Sequence, residues 1–596
     1  MVAKLLQLLY LLVGLFAAIG LAASDYSEQL FLQPLPPASL LASFNFRSNE
    51  SIVAFEQQNF RLFPRSLGQI LQHADTKELH LRFTTGRWDA ESWGERPWHG
   101  FKEGGTGVEL WAWIEADTEE QAFAKWITLT QSLSGLFCAS LNFIDSTRTT
   151  RPVVAFEPRG DHLSGESRLH FLHGTLPGEV VCTENLTPFL KLLPCKGKVG
   201  IASLLDGHKL FDAAWQSMSI DVQPSCAGAE DHCHVEIEET VDMVLDIERS
   251  KRPRDNPIPR PVPADQLICD DSKPYHSRNT CYPVRNAASK AWQLNEIFGR
   301  SIPSACPLIE EGSKSVCINV PADRDVLTTA GALEVMSPDS LSRCYSLFAG
   351  IPFNLVLPAQ ESAHEVPLKS EILHAERTII GHGQERGGMR LILTNPSNTS
   401  AVEFVYFETL PWFMRPYLHT LQTKVTSRDG FTNGGLSTDI VKEVFYRPAV
   451  DRRRGTQLEL ILSVPPASTV TLVYDFEKAI LRYTEYPPDA NRGFNVAPAV
   501  IRILESGGTA EASNSPIYLR TTSLLLPLPT PDFSMPYNVI ILTSTVMALA
   551  FGNIFNLLVR RFVGADEVPP RQLKALIQGK IVALRDKIKG KEVKVD

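Results

Sequence analysis

A long uncharged stretch near the C-terminus constrains this chain more than any other feature of its sequence. Residues 539–559 contain no charged side chain, and a helix needs about 20 apolar residues to cross the hydrocarbon core of a membrane. Arg560 and Arg561 follow at once, and residues 560–596 contain ten Lys and Arg against five Asp and Glu. Because basic residues beside a span favour the cytoplasmic side, we predict a transmembrane helix over residues 537–559 and a basic cytoplasmic tail over residues 560–596.

The other end of the chain has the layout of a secretory signal peptide. Lys4 precedes a mainly apolar stretch over residues 5–18, and the small residues Ala22 and Ala23 close the segment. A basic start, an apolar middle and a small-residue exit are typical of a signal that is removed during secretion. We therefore predict a signal peptide over residues 1–23 and a single-pass type I topology, with the bulk of the chain in the lumen.

Net charge and short motifs indicate which partners and modifications are possible for the folded body between these two ends. The chain has a net charge of −9 and the tail contributes +5, so the remainder carries −14. An acidic body argues against nucleic acid as a partner. Sequons of the form Asn-x-Ser/Thr, which can receive glycans in the lumen, stand at Asn49, Asn185 and Asn398.

The hydrophobic pattern of the body is mostly that of β-strands. Residues 78–83, 402–408 and 458–464 alternate apolar and polar side chains with a period of two, as half-buried strands do. Residues 62–73 and 119–136 have helical patterns. Many strands with Pro and Gly between them, and no regular alternation with helices, predict a mainly β fold: antiparallel β-sandwich-type lumenal domains with a few helices, plus one C-terminal transmembrane helix.

A proline-rich segment is the strongest candidate for a boundary inside the body. Residues 251–265 contain five prolines, four of them at alternate positions. Such a segment cannot form a central strand and favours extended polyproline conformation. We therefore predict a Pro-rich linker there, between an N-terminal lumenal region of residues 24–250 and a C-terminal lumenal β-rich region of residues 266–536.

A search for catalytic motifs finds no Gly-x-Ser-x-Gly, His-Glu-x-x-His, Walker loop or Gly-x-Gly-x-x-Gly in the sequence. Cys226, His232, Cys233 and His234 come nearest to a metal cluster. Their spacing does not match a zinc knuckle, and the lumen oxidises thiols, so a local disulfide is favoured over a metal. These residues on their own predict a non-enzymatic chain with no metal and no cofactor.

Polar side chains in the predicted span indicate contacts inside the membrane. Asn553 and Asn556 are three residues apart and share one face of a helix, and Asn538 lies at the lumenal boundary. Unpaired amides are costly in hydrocarbon, so we expect these side chains to contact partner helices or the head region of a lipid. For Asn556 the alternative is water at the cytoplasmic interface.

Several longer segments resemble the PIG-T subunit of GPI transamidase, in a fixed order that covers the chain from the mature N-terminus through the transmembrane helix. They are residues 26–36, 60–68, 79–81, 85–88, 133–145, 181–188, 415–417, 491–494 and 536–540. The tail beyond Val563 carries no such segment. Long matches in a fixed order are far more specific than any short motif.

The resemblance implies a non-catalytic role in the endoplasmic reticulum membrane. The complex attaches GPI lipid anchors to proproteins, and its nucleophile belongs to a separate caspase-like catalytic subunit. The PIG-T-like subunit is expected to hold that subunit, to contact the other membrane subunits, and to help form the membrane site that receives the lipid and the proprotein. By the same resemblance, Cys182 is the residue that forms an interchain disulfide to the catalytic subunit.

Cysteine pairing inside the chain remains open at this point. If Cys182 bonds outward and Cys138, in an apolar run, is a buried free thiol, eight cysteines remain, which allow 105 connectivities. Proximity in sequence favours three pairs: Cys226 with Cys233, Cys269 with Cys281, and Cys306 with Cys317. Without the resemblance, a local bond between Cys182 and Cys195 would be preferred.

Two other functions fit the same topology. A lumenal cargo receptor or chaperone would have loose, exchangeable partners and no stable covalent bond to a protease-like subunit. A lumenal hydrolase would need a nucleophile and base that are separated in sequence but adjacent in space.

Overall fold

The fold is described by a computed structural model of the chain. The residues that it describes are 26–36, 38–162, 168–226, 233–251, 267–269, 281–283, 291–310, 312–329, 334–336, 342–360, 367–381, 383–427, 432–434, 440–487, 489–506, 516–529, 534–560 and 573–589. The predicted signal peptide lies outside these residues, as does all but the first residue of the predicted Pro-rich linker.

The N-terminal part of the chain contains eight strands among the described residues. They are β1 (Tyr26–Leu35), β2 (Ser39–Ser51), β3 (Thr76–Gly86), β4 (Gly107–Glu115), β5 (Thr149–Thr150), β6 (Leu169–Leu176), β7 (Trp215–Cys226) and β8 (Cys233–Asp246). The helices between and after them are α1 (Ile52–Glu56), α2 (Arg65–His73), α3 (Ala90–Trp93), α4 (Glu119–Phe137), α5 (Thr183–Leu192), α6 (Gly207–Leu210) and α7 (Ile247–Ser250).

Short elements follow, and then the longer strands of the C-terminal part. The short elements are β9 (Leu267–Cys269), β10 (Cys281–Pro283), β11 (Trp292–Gln293), α8 (Leu294–Phe298), β12 (Lys314–Asn319), β13 (Leu327–Thr328), β14 (Glu334–Met336), β15 (Ser342–Ser346) and β16 (Leu355–Leu357). The later elements are β17 (His374–Ile380), β18 (Arg386–Thr394), β19 (Val402–Leu410), β20 (Met414–Ser427), β21 (Thr432–Gly434), β22 (Val441–Arg447), β23 (Thr456–Val464), β24 (Ser468–Lys478), β25 (Phe494–Val496), β26 (Val500–Ser506), β27 (Ile517–Arg520), β28 (Leu524–Leu526), α9 (Ser534–Val559) and α10 (Leu573–Lys589).

One large sheet organises the N-terminal part. Its eleven described strands run in the order β14-β15-β12-β1-β2-β8-β7-β3-β4-β6-β5. Neighbouring strands are antiparallel, except that β1 pairs in parallel with β12. The mainly antiparallel β fold predicted from the sequence is thus confirmed, although this part is a single wide sheet with helices and not a sandwich of two sheets.

Strand β4 explains why both faces of the large sheet are buried. Leu110 and Ala112 belong to the hydrophobic core that includes residues of α2, α4 and α5. Trp111 and Trp113 belong to a second cluster, with Phe407 of β19. Since successive side chains of a strand point to opposite faces, helices cover one face and the C-terminal strands cover the other.

Helix α4 packs on the sheet because of its spacing of apolar residues. It begins at Thr118, whose Oγ1 accepts a hydrogen bond from Gln121 N at 3.3 Å, and Glu119 and Glu120 lie in the first turn, where the helix dipole favours negative charge. Its buried apolar residues recur every three or four positions: Ala122, Trp126, Leu129, Leu133 and Phe137. That spacing places them on one face of the helix.

The C-terminal strands form the predicted antiparallel sandwich. One sheet has the order β17-β18-β24-β20-β21 and the other β22-β23-β19-β26-β27. The side chains between them form a separate hydrophobic core, with Leu391 and Leu472 from the first sheet and Phe404 and Leu460 from the second. This core makes the sandwich a packed unit of its own.

The boundary between the two cores does not fall at the predicted linker. Strands β12, β14 and β15 follow that segment in sequence, yet they join the large sheet. Trp292 likewise belongs to the same core as Leu30, and the second core begins at Leu373. The division between the two cores therefore lies at a different place in the chain, and the Pro-rich linker over residues 251–265 stays a prediction, because all but its first residue lie outside the described residues.

Beyond the sandwich, helix α9 is long and apolar enough to cross a membrane. Its candidate span is Met535–Val559, 25 residues with a mean hydropathy of 1.7. The described residues up to 528 form one compact unit, and those from 529 onward form a second. Within that second unit α10 follows α9 after residues 560–572.

Candidate docking site around Cys182

Cys182 is positioned by the start of helix α5. It is the N-cap residue of that helix, with extended backbone at φ −148°. Its backbone N donates a hydrogen bond to Asn185 Oδ1 at 2.8 Å, and its backbone O accepts one from Asn185 N at 3.0 Å. These bonds satisfy groups that a helix start leaves unpaired, so the backbone of Cys182 is fixed by the helix it caps.

Asn185 ties the start of α5 to the end of α4. Its side chain is 1% exposed, and its Nδ2 donates to Phe137 O at 3.0 Å and to Cys138 O at 3.4 Å. The last carbonyl groups of a helix lack partners within it, and this amide supplies one. Two helices and the cap at Cys182 are therefore held by one buried side chain.

The thiol of Cys182 is free and half-buried. Val180, two residues earlier, is 77% exposed, whereas the intervening Val181 lies in the hydrophobic core. Just before α5, therefore, the side chain of Val181 packs in the core while that of Val180 points outward. Cys182 is accessible beside an exposed apolar side chain, on a backbone that the core holds in place.

Cys138 is the other free cysteine among the described residues, and it is exposed. It ends α4 with left-handed backbone at φ 52°. The expectation that Cys138 is free is confirmed, and the expectation that it is buried is wrong. The apolar run around it suggested a core position, but the left-handed cap turns this residue away from the face that packs.

Disulfides account for most of the other cysteines. The described bonds are Cys195–Cys306, Cys226–Cys233 and Cys317–Cys344. Cys281 is also disulfide-bonded, and the backbone pairing of β9 with β10 places it opposite Cys269. The side chain of Cys269 lies outside the described residues, so that predicted pair stays a prediction.

Sequence proximity gave one of these pairs correctly and one wrongly. Cys226 and Cys233 face each other across the paired ends of β7 and β8, as predicted. The predicted pair of Cys306 with Cys317 is wrong, because Cys317 lies opposite Cys344 in the register of β12 and β15. The local pair of Cys182 with Cys195 is also wrong, since Cys195 is bonded across 111 residues to Cys306.

A potential metal group among the described residues is explained by one of these bonds. Glu28, Cys195 and Cys306 place their donor atoms close together, but the two sulfur atoms are joined to each other. Oxidised cysteines do not offer the thiolates that metals bind. Glu28 accepts hydrogen bonds from Tyr26 Oη at 2.8 Å and Ile201 N at 3.0 Å, and burial raises its pKa to about 7.

The three sequons lie in different environments. Asn398 is exposed and Asn49 is half-buried in β2. Asn185 is buried, and its Nδ2, the atom that would carry a glycan, donates to Phe137 O. Burial and hydrogen bonding of that atom argue against a glycan on Asn185 in the folded chain. The sequon pattern could not show this, since it reads only three residues.

The asparagines predicted to contact partners within the membrane all lie on α9. Asn538, Asn553 and Asn556 are exposed on this helix. Two neighbouring hydroxyls, of Thr543 and Thr545, instead donate to backbone carbonyls four residues earlier at 2.7 Å. Hydroxyls can thus be satisfied within the helix, whereas the described structure gives these amides no such internal bond.

A layer of buried charge lies between the large sheet and the sandwich. His80 Nε2 lies 2.7 Å from Glu78 Oε1 and its Nδ1 contacts Asp221, while Arg82 and Lys102 donate to Asp221 at 2.6 and 2.7 Å. Burial alone would raise the pKa of Asp221, but the charges of Arg82 and Lys102 outweigh it and hold that pKa well below its usual range. The layer is internally neutralised, as buried charge must be.

A cleft among the described residues opens between the same two parts. Its volume is about 570 Å³, and its lining includes no cysteine, serine or lysine. Arg96 crosses it, with Nη1 at 2.6 Å from Glu103 and Nε at 2.9 Å from Glu371. Arg96 is thus paired with two carboxylates, and these ion pairs link the two parts across the cleft.

Comparison with known proteins gives one consistent match over the whole chain. Residues 10–585 match the family described as "Gpi16 subunit, GPI transamidase component". A Saccharomyces cerevisiae protein, "GPI transamidase component GPI16", is 39% identical, covering 98% of this chain and 97% of its own. The human "GPI-anchor transamidase component PIGT" is 33% identical, with 90% of each chain covered.

Similarity to solved structures is much weaker. The major pilin SpaD from Corynebacterium diphtheriae overlaps 31% of this chain and 49% of its own, at 11% identity and a TM-score of 0.18.

Proposed function

This chain belongs to the Gpi16 family of GPI transamidase components, and from that membership we propose that it is the non-catalytic scaffold subunit of GPI transamidase. In this role it holds the caspase-like catalytic subunit. It also helps to form the membrane site at which GPI anchors are attached to proproteins in the endoplasmic reticulum.

The observation that carries the proposal is the state of Cys182. It is a free, half-buried thiol in a chain whose other cysteines with described side chains, Cys138 excepted, are disulfide-bonded. Cys195, the nearest cysteine along the chain that could capture it, is bonded to Cys306. A thiol left unpaired in an oxidising lumen is suited to a bond with another chain.

The structure around Cys182 holds its backbone in place, which suits a fixed anchor better than a mobile contact. A buried amide at Asn185 joins its cap to the end of α4, and Val181 packs in the core beside it. A site held on rigid elements positions a partner more closely than a loop does. We propose that the catalytic subunit bonds to Cys182 and packs against the surface that includes Val180.

The proposed membrane role is assigned to α9. In the type I orientation its lumenal end bears Asn538, and Asn553 and Asn556 lie deeper in the span. Amides in a membrane helix usually face other helices, so we assign these three residues to contacts with the other membrane subunits or with the GPI lipid.

A non-reducing gel of the tagged full-length protein from membranes tests the covalent anchor. We compare wild type with Cys182→Ser and use Cys138→Ser as the matched control, because Cys138 is the other free and accessible thiol. The expected result is a reducible larger band that Cys182→Ser abolishes and Cys138→Ser retains. Mass spectrometry of that band should identify a caspase-like protease.

Other results point to other functions. A monomer under both conditions, with exchangeable partners after mild solubilisation, favours the lumenal cargo receptor or chaperone. A band lost in Cys138→Ser and kept in Cys182→Ser assigns the interchain bond to Cys138 and refutes the proposed anchor at Cys182. Hydrolase activity of the purified chain, abolished by one side-chain change, refutes the non-catalytic role.

A further inference from the structure

Helix α10 carries an apolar stripe that nothing in the described structure covers. Ile577, Ile581 and Leu584 are 49%, 60% and 64% exposed. Their spacing of four and three residues places them on one face of the helix. Val582 is 56% exposed as well, but it is one residue from Ile581 and therefore lies on another face.

Basic residues border this stripe. Helix α10 contains five Lys and Arg against one Asp, Asp586. At 3.6 residues per turn, Lys580 lies at one edge of the apolar stripe and Arg585 at the other. Long basic side chains at the edges of an apolar face can direct their charges toward lipid head groups while their stems cover apolar surface.

A helix with these properties is poorly suited to water alone. Most of the stability of a helix in a protein comes from packing of its amphipathic face, and an exposed apolar stripe gains free energy only when it is buried. A basic polar face opposite an apolar face is typical of helices that lie in a membrane interface. Anionic lipid head groups complement its net positive charge.

The position of α10 in the chain keeps it beside a membrane surface. The candidate span ends at Val559, and residues 560–572 separate it from α10. Thirteen residues reach at most about 45 Å even when fully extended. Tethering of this kind raises the local concentration of the helix at the surface, so even weak intrinsic affinity for lipid suffices.

We propose that α10 lies on the anionic lipid surface at the side of the membrane where α9 ends, with Ile577, Ile581 and Leu584 in the acyl boundary. This surface contact goes beyond the proposed scaffold role and does not depend on the bond at Cys182. In the proposed type I orientation the surface is the cytoplasmic leaflet.

Hydrogen–deuterium exchange of the full-length chain in nanodiscs tests this contact. Exchange of residues 573–589 is compared between nanodiscs of phosphatidylcholine alone and nanodiscs that also contain phosphatidylserine. We expect exchange about tenfold slower in the anionic nanodiscs, with part of the protection lost at high salt. The double variant Ile581→Glu, Leu584→Glu should lose the protection, whereas the control Val582→Glu, on another face, should keep most of it.

Three outcomes overturn the proposal. Equally fast exchange with and without phosphatidylserine excludes an anionic lipid contact. Equal loss of protection in Val582→Glu and in the double variant excludes the stripe as the buried face. Protection that arises only after other subunits are added identifies a protein partner instead. None of these outcomes changes the gel result for Cys182, so the two proposals can fail separately.

Discussion

At the scale of single residues, buried polar side chains in this chain are held by specific partners. Asn185 makes its bonds to Cys182 and Phe137 while 1% exposed. Asp242 is equally buried, and its Oδ1 accepts a hydrogen bond from Trp98 Nε1 at 3.1 Å. Removing a partner from such a group costs more than the bond itself contributes, because the remaining group stays desolvated.

We expect Asn185→Ala to reduce the free energy of unfolding by about 1–3 kcal/mol, since it leaves Phe137 O and Cys182 N without this partner. Endoglycosidase should shift the gel mobility of Asn185→Ala by the same amount as that of wild type. Asn398→Gln is the matched sequon variant: it should leave stability within about 0.5 kcal/mol, because the residue is exposed. If Asn398 carries a glycan, this variant should lose an endoglycosidase-sensitive shift. A glycan lost in Asn185→Ala would contradict the buried position.

The protonation of Asp242 should make stability depend on pH. Burial raises its pKa to about 7 from an ordinary value of 3.8. The stabilisation that protonated Asp242 gives to the folded state is therefore fully present below about pH 4. It is lost as the pH rises toward 7, because Asp242 ionises at a lower pH in the unfolded chain than in the folded one. The loss is at most about 4 kcal/mol.

Asp242→Asn removes this titration, so its Tm should fall less than that of wild type between pH 5 and pH 8. Thermal unfolding of both proteins at a series of pH values measures the difference. Asp117→Asn is the control, since that side chain is 63% exposed, and it should retain the wild-type profile. An unchanged pH profile in Asp242→Asn would rule out this group as the source.

At the scale of elements, the large sheet and the sandwich are joined through buried ion pairs. Arg520 of β27 donates from Nε to Glu109 Oε2 of β4 at 2.8 Å, and His173 of β6 lies 3.1 Å from Glu109 Oε1. Burial alone would raise the pKa of Glu109, but Arg520 and His173 hold it below its usual range. A second junction is Glu459, whose carboxylate accepts from three backbone N–H groups of residues 153–155 at 2.8–2.9 Å.

We expect Arg520→Ala to cost about 3–5 kcal/mol of stability, because it leaves the buried charge of Glu109 without its strongest partner. Arg520→Lys, which keeps a charge, should cost less. Lys442→Ala is the control: its pair with Glu403 is well exposed and should contribute less than about 1 kcal/mol. Denaturant unfolding of the three variants measures the order, and equal losses in Arg520→Ala and Lys442→Ala would contradict a buried junction.

At the scale of the whole molecule, the two ends of the chain predict one orientation in the membrane. A signal-like N-terminus and a basic segment after the candidate span both favour a lumenal body and a cytoplasmic tail. The candidate span is longer than the roughly 20 residues that a bilayer core requires, and so can span it with some tilt.

Protease treatment of sealed microsomes should therefore remove an epitope tag placed after Asp596 while leaving the body intact. Detergent should expose the body to cleavage. The tagged wild-type chain needs no substitution for this measurement, and an epitope inserted after Asn398, in an exposed loop, serves as the internal control for a sealed lumen. A protected tail with a cleaved body would reverse the proposed orientation.

Local features of the fold could be predicted because they depend on neighbouring residues only. The predicted strands over residues 78–83, 402–408 and 458–464 lie within β3, β19 and β23. The helix predicted over residues 119–136 matches α4 almost to the residue. The periodicity of apolar side chains and helix capping both depend on a few neighbouring residues, so both can be recognised in the sequence.

The polar face of β3 could not be predicted correctly from the sequence pattern. Alternation predicted a half-buried strand with a solvated face, but Glu78, His80 and Arg82 are all fully buried under the sandwich. A sequence pattern distinguishes two faces of a strand and does not show what will cover the second. The charged partners, Asp221 and Lys102, come from other elements brought in by the fold.

The sequence by itself determined the candidate span, the strand and helix periods, the local pair Cys226–Cys233 and, through resemblance, the family. Only the tertiary structure decided that Cys195 meets Cys306, that the free Cys138 is exposed, and that Asn185 is buried between two helices. The first group depends on interactions within a few residues along the chain. The second depends on which distant strand edges and helix ends come together, and that is set by burial of the whole core.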